Sequence, residues 1–149
     1  MTFSRIPFSI VKHEIQRIFN CENYSKHWEL LPEDIQRLSL ANGIALTWVN
    51  TPNWDNEDYN YSNEEFLNIA YINVFSSKRI YLVTDECFKT KEAFCITSTD
   101  LIAFIEEFYE AEYHMEFPQR LDFIFVVPEE NFLSILYHEG VRTQYSSSS

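Results

Sequence analysis

The spacing of apolar and polar residues along the chain predicts three helices. In residues 9–19, apolar side chains recur at helical intervals with charged ones between them, which is typical of an amphipathic helix. A second, short helix is predicted over 32–40, because Pro32 suits a first helical turn and Asn42-Gly43 suits a stop. The clearest pattern covers 99–115, where an apolar stripe opposes an acidic face and Pro118 follows.

Runs of apolar and β-branched residues predict the strands. These runs occupy residues 44–49, 80–84, 93–97, 121–127 and 132–138. Short turns connect the successive strands 80–84 and 93–97, and 121–127 and 132–138, which favours antiparallel pairing.

Residues 50–63 are predicted to form a polar loop, and residues 64–75 fit two structures. Ser62 followed by Glu64 and Glu65 fits a helix start, whereas the apolar run 69–75 fits a strand. We favour a strand that begins at Leu67 or Ile69.

This order of elements predicts an α+β fold in a single domain, residues 1–149. We expect an antiparallel sheet of five to six strands with helices packed mainly on one face, and a disordered tail over 146–149. A doubly wound sheet would need regular alternation of strands and helices, which the pattern lacks. Only two glycines occur, Gly43 and Gly140, so a glycine-rich phosphate loop is excluded.

Composition supports a packed core that needs neither disulfide nor metal. Of the 149 residues, 46% are hydrophobic and 17% aromatic. The three cysteines are widely spaced and form no metal-binding motif, which is typical of a reducing compartment. We therefore predict no metal and no cofactor. With neither a secretory leader nor a long apolar run, the expected location is the cytoplasm, away from membranes.

Charge is the most unusual property of the chain. It carries 23 Asp and Glu against 11 Lys and Arg, a formal net charge of −12. Residues 38–77 and 92–119 contain no Lys or Arg at all, although both stretches are rich in carboxylates. Such a field repels nucleic-acid phosphates and attracts basic proteins. The alternative interpretation is that the acidity serves only solubility.

The first acidic stretch interleaves carboxylates with aromatic residues, a combination typical of protein interfaces. We expect Trp48 to lie in the core, and Trp54, Tyr59 and Tyr61 to be exposed. The predicted partner-binding residues are Trp54, Asp55, Glu57, Asp58, Tyr59, Tyr61, Glu64 and Glu65, with Glu106, Glu107 and Glu110 on the helix.

Catalytic chemistry is only weakly indicated. His138 and Glu139 form a conceivable acid–base pair with a carboxylate from residues 106–116, as in a small hydrolase. However, no nucleophile motif accompanies them, and adjacent residues of a strand point to opposite faces. Carboxylate pairs such as Glu106 and Glu110 on a helix surface are usually solvated. We therefore predict a binding protein with no catalytic residues.

Two segments resemble a known superfamily. Residues 31–35 (LPEDI) with Asn42-Gly43 after them, and residues 94–108 (FCITSTDLIAFIEEF), are similar to pieces of the Smi1/Knr4-like immunity superfamily. The acidic, glycine-poor chain also resembles, in overall character, bacterial immunity proteins of contact-dependent growth inhibition and polymorphic toxin systems. The resemblance implies neutralisation of a cationic toxin domain, such as a nuclease. The alternative is a nucleic-acid mimic that inhibits a host DNA- or RNA-binding protein.

Overall fold

The computed structural model describes residues 1–118 and 121–147 and contains a seven-stranded antiparallel sheet. The strand order is β1-β4-β3-β5-β6-β7-β2. The strands are β1 (Phe3–Pro7), β2 (Thr47–Asn50), β3 (Arg79–Val83), β4 (Glu92–Thr97), β5 (Phe123–Val127), β6 (Phe132–Leu136) and β7 (Val141–Ser146). The α+β class is confirmed, and the sheet is slightly larger than expected.

The α-helices lie between β1 and β2, between β2 and β3, and between β4 and β5. They are α1 (Phe8–Ile18), α2 (Pro32–Ala41), α3 (Asn63–Ile69), α4 (Leu101–Phe104) and α5 (Glu110–Tyr113). A 3₁₀ turn (Ser98–Asp100) leads into α4, and a π-helical turn (Ile105–Tyr109) joins α4 to α5. Residues 98–113 thus form one continuous stretch, which we call the composite helix. Further 3₁₀ turns lie at Asp85–Lys89 and Pro128–Glu130. None of the described helices is both long and apolar enough to cross a membrane.

Helices contact both faces of the sheet, whereas the sequence led us to expect them mainly on one. Phe19, at the end of α1, contacts the ring of Tyr145 in β7 (centroids 5.4 Å apart). Cross-strand pairing places Tyr145 on the same face as Val126. Phe123 lies three residues before Val126 and so faces the opposite side, where it contacts Phe66 of α3 at 4.9 Å. The central strands are therefore buried on both faces.

The prediction of a strand after Leu67 is wrong, because a capping box starts α3 instead. The Ser62 hydroxyl accepts a hydrogen bond from the backbone N–H of Glu65, and the Glu65 carboxylate accepts one from the N–H of Ser62. The helix buries Phe66 and Leu67. The apolar run that suggested a strand continues as a turn, in which Ile72 is buried.

The sequence did not predict two of the strands, β1 and β7, because neither is a continuous apolar run. β1 includes Arg5 and Pro7, and β7 consists mainly of polar residues that are half-buried. The expectation of a disordered tail from residue 146 is wrong for Ser146, which ends β7, and Ser147, whose N–H donates to the Asn131 carbonyl (3.0 Å). Residues 148–149 lie outside the described residues.

Candidate functional site

The loop before α3 is held to the sheet by a buried tryptophan. The side chain of Trp54 is only 7% exposed, so the prediction that it is an exposed anchor is wrong. Its indole N–H donates to the backbone carbonyl of His138 (2.9 Å), and its ring packs against Gly140 in the turn between β6 and β7. Trp54 therefore fixes the loop in place.

Two tyrosines complete this anchor. Tyr61, also predicted to be exposed, is 8% exposed, and its hydroxyl donates to the Pro52 carbonyl. Tyr59 is half-buried, packs on Tyr61 (5.0 Å) and donates to the Glu65 carboxylate (2.5 Å). This hydrogen bond lowers the pKa of Glu65 and raises that of Tyr59. Tyr59 thus positions the carboxylate of Glu65, which is already engaged in capping α3.

Trp48, which we expected in the core, is 52% exposed. It lies on β2 at the edge of the sheet, where it stacks on Tyr137 (5.8 Å, interplanar angle 12°). The apolar run around it predicted a buried strand, because a run alone does not reveal whether a strand is central or at an edge.

The remaining carboxylates of the loop face solvent. Asp55, Glu57 and Asp58 are all exposed, as predicted. The side-chain carbonyl of Asn56 accepts a hydrogen bond from the backbone N–H of Asp58 (3.1 Å), which closes a local turn. The three acids are therefore displayed from an ordered loop.

Asn63, at the start of α3, brings the two acidic stretches together. Its side-chain amide lies within hydrogen-bonding distance of Glu106 Oε1 (3.5 Å) and Glu110 Oε1 (3.4 Å). The other oxygen of Glu110 accepts the backbone N–H of Phe117 (3.2 Å). Glu106 and Glu107 lie on the π-helical turn, and such turns are frequent at functional sites.

An open cleft of about 490 Å³ marks this junction. Its lining combines the end of the loop, the start of α3 and the acidic side of the composite helix: Asn60, Tyr61, Ser62, Asn63, Glu106, Glu110, Glu116 and Pro118. The predicted residues Glu64 and Glu107 are exposed. The end of the loop and the acidic side of the composite helix thus lie beside each other.

The carboxylates of the loop, α3 and the composite helix together form what we call the acidic surface. They form no ion pair with Lys or Arg within the part of the chain that the structure describes. Lysine and arginine side chains pair with Glu14, Glu29, Asp34, Glu86 and Glu130. None of these partners belongs to residues 38–77 or 92–119. Among the described residues, no group of three or more potential ligands could hold a metal ion. The surface is therefore a concentrated negative field suited to a cationic partner.

His138 belongs to a separate small cluster that includes Asp122, which sequence analysis missed. The ring nitrogens lie 3.0 Å from Asp122 Oδ1 and 2.9 Å from Glu139 Oε1. The predicted strand 132–138 extends too far, because β6 ends at Leu136, and His138 and Glu139 occupy the following turn. Asp122 raises the pKa of His138. The helix carboxylates Glu106 and Glu110 instead contact Asn63, so the described contacts do not link them to His138.

Comparison with known proteins found no match to this chain among protein-family models, curated proteins or solved structures.

Proposed function

We propose that this protein is an immunity protein that binds and neutralises a cationic toxin domain. The observation that carries this proposal is the meeting of two acidic segments at Asn63, where the carboxylates have no cationic partner among the described residues. Ion pairs elsewhere on the molecule show that cations of this chain do bind its other carboxylates. Within the described part of the chain, no cation of the protein itself occupies the acidic surface, which suits it to a cation supplied by another molecule.

Charge on this surface would act mainly on the rate of association. Clustered charges of one sign steer an oppositely charged protein into encounter, and their effect falls as salt screens them. A nuclease binds the phosphates of its nucleic acid through basic residues. Carboxylates of the acidic surface would take the place of those phosphates, so the protein would block the nucleic-acid site of the toxin.

The rigidity of the loop supports a binding role. Trp54 and Tyr61 are buried, whereas Asp55, Glu57 and Asp58 of the same loop are exposed. A loop already held in one conformation loses little conformational entropy when it binds a partner. We propose that Asp55, Glu57, Asp58, Glu64, Glu106 and Glu107 make the direct contacts, while the aromatic residues hold the loop.

We further propose that the protein acts in the cytoplasm of a bacterium. Its three cysteines are free thiols, and two of them, Cys21 and Cys87, are buried. Free thiols persist in a reducing compartment.

Co-expression with the reading frames that neighbour its gene tests the function. We expect one of them to arrest growth when expressed alone and to be tolerated when this protein is present. A double variant, Glu57→Gln with Asp58→Asn, should protect less than the wild type at equal expression. The proposal fails if no neighbouring frame is toxic or if the protein rescues none. Capture of a host DNA- or RNA-binding protein alone would favour the nucleic-acid mimic instead.

A further inference from the structure

The two edges of the sheet differ in how they are protected against pairing with another strand. Exposed edge strands are usually protected by charge, proline or a covering segment, because their unpaired backbone groups can bind another chain. In the described structure, β1 and β2 are the edge strands. They differ in charge, proline content and exposure.

β1 is protected on its outer side. The N–H of Phe8 donates to the Lys91 carbonyl beside β4. Backbone groups alternate in direction along an antiparallel strand, so Arg5 and Pro7 direct theirs away from β4. Pro7 has no N–H to offer, and Arg5 places a charge on this edge, with its guanidinium over the ring of Phe94 (5.4 Å). A further strand would find few donors here.

Nothing in the described part of the chain protects β2 in this way. The N–H of Thr51 donates to the Gly140 carbonyl (2.8 Å), so by the same alternation Trp48 and Asn50 direct their N–H and C=O groups away from β7. All four residues of β2 are exposed, including Trp48 and Val49. The strand contains no charged residue and no proline.

The surroundings of β2 are also unusual for this chain. Residues 38–54 contain no Asp, Glu, Lys or Arg, although the whole chain has a net charge of −12. Two copies of so acidic a protein repel each other wherever charged surfaces meet. An uncharged strand at the edge is a place where they can meet without opposing carboxylates at the contact.

We propose that β2 pairs antiparallel with β2 of a second copy of this chain. Two-fold symmetry brings identical strands together, and the outward groups then match. Trp48 exchanges backbone hydrogen bonds with Trp48 or Asn50 of the other copy, depending on register. The pairing joins the two seven-stranded sheets into one continuous sheet and covers part of the exposed Trp48 ring. This proposal does not rest on the toxin-binding function.

Sedimentation equilibrium of the full chain over a range of concentrations tests the pairing. A monomer has a mass of 17.8 kDa, and the wild type should approach twice that value as concentration rises. Salt should strengthen the dimer, because it screens the repulsion between two acidic chains. Salt should weaken binding to a cationic toxin, so the two associations are distinguishable.

Two variants isolate the edge of β2. Asn50→Pro removes an outward N–H that has no role in pairing with β7, and Trp48→Lys places like charges across the two-fold axis. Each should weaken the dimer by about tenfold or more. The control Ser4→Lys, on the edge strand β1, should leave the dimer unchanged. Circular dichroism and thermal unfolding of each variant establish that the monomer is still folded.

A wild-type chain that stays monomeric at every concentration would overturn the proposal. So would a dimer that persists in both folded β2 variants, because its contact would then lie elsewhere. Loss of the dimer in Ser4→Lys but not in the β2 variants would assign the interface to the opposite edge and also overturn it.

Discussion

A β-carbon on Gly140 would lie 2.3 Å from Cδ1 of Trp54, a distance at which two carbon atoms cannot coexist. Gly140 also has a φ of +89°, which residues with side chains rarely adopt. The turn between β6 and β7 therefore leaves space for the indole that fixes the acidic loop. Glycine at residue 140 and tryptophan at residue 54 form one structural unit, although they are far apart in sequence.

Gly140→Ala should lower the free energy of unfolding by about 2–4 kcal/mol, because it combines backbone strain with a steric clash. Gly43→Ala is the matched control. Gly43 has a φ of +70°, but a β-carbon there meets nothing within 4 Å, so a loss of about 1–2 kcal/mol is expected. Urea unfolding measures both. Equal losses would show that Trp54 does not constrain residue 140.

The amide of Asn63 lies within hydrogen-bonding distance of two carboxylates, so replacing it by a third carboxylate should make stability depend on salt concentration. At neutral pH, Asn63→Asp should be less stable than Asn63→Ala by about 1 kcal/mol, because its charge faces Glu106 and Glu110 across the cleft. The difference should shrink as added salt screens the repulsion. Urea unfolding at several salt concentrations checks this. A difference that does not change with salt would contradict the electrostatic role.

The His138 cluster predicts a titration with a defined sign. Asp122 raises the pKa of His138 above its ordinary value of 6.5, so the folded state favours the protonated ring. The resulting stabilisation is present below pH 6.5 and is lost as pH rises through the raised pKa. NMR titration of the ring should show a pKa above 6.5 that falls in Asp122→Asn. It should fall less in Glu139→Gln, since the charge of Glu139 has a smaller effect. An unchanged pKa in Asp122→Asn would contradict this assignment.

The exposed loop acids should control how fast a cationic partner binds. Glu57→Gln with Asp58→Asn should slow association by about tenfold at low salt and flatten its salt dependence, because both effects come from the same local field. The control pair Glu22→Gln with Glu33→Gln changes net charge equally, with exposed residues outside the two acidic stretches. It should slow association by about twofold or less. Stopped-flow measurements with the identified toxin domain give the association rate of each double variant. Equal slowing by the two double variants would place the contact elsewhere.

Local patterns were sufficient for much of the secondary structure. The apolar spacing predicted α1, α2 and the composite helix, and the runs of β-branched residues predicted β3 to β6 with small differences at their ends. In these elements, the apolar residues that become buried recur at a regular spacing, which a short window of sequence reveals. β1 and β7 were missed because a strand pairing at or near an edge needs no continuous apolar pattern. In α3, the local capping box of Ser62 and Glu65 outweighed the β-branched run that follows.

The acidic site was partly visible in the sequence, because the absence of Lys and Arg from residues 38–77 and 92–119 is a property of composition. The role of each aromatic residue could not be predicted from the sequence. Trp48 lies in an apolar run and Trp54 in a polar loop, yet Trp48 is half exposed and Trp54 is buried. Their burial depends on partners more than 80 residues away, since Trp48 belongs to an edge strand and Trp54 fits against Gly140. Likewise, only the packing of α3 beside the composite helix brings Asn63 to Glu106 and Glu110, because contacts between distant segments depend on the strand order of the sheet and not on any local pattern.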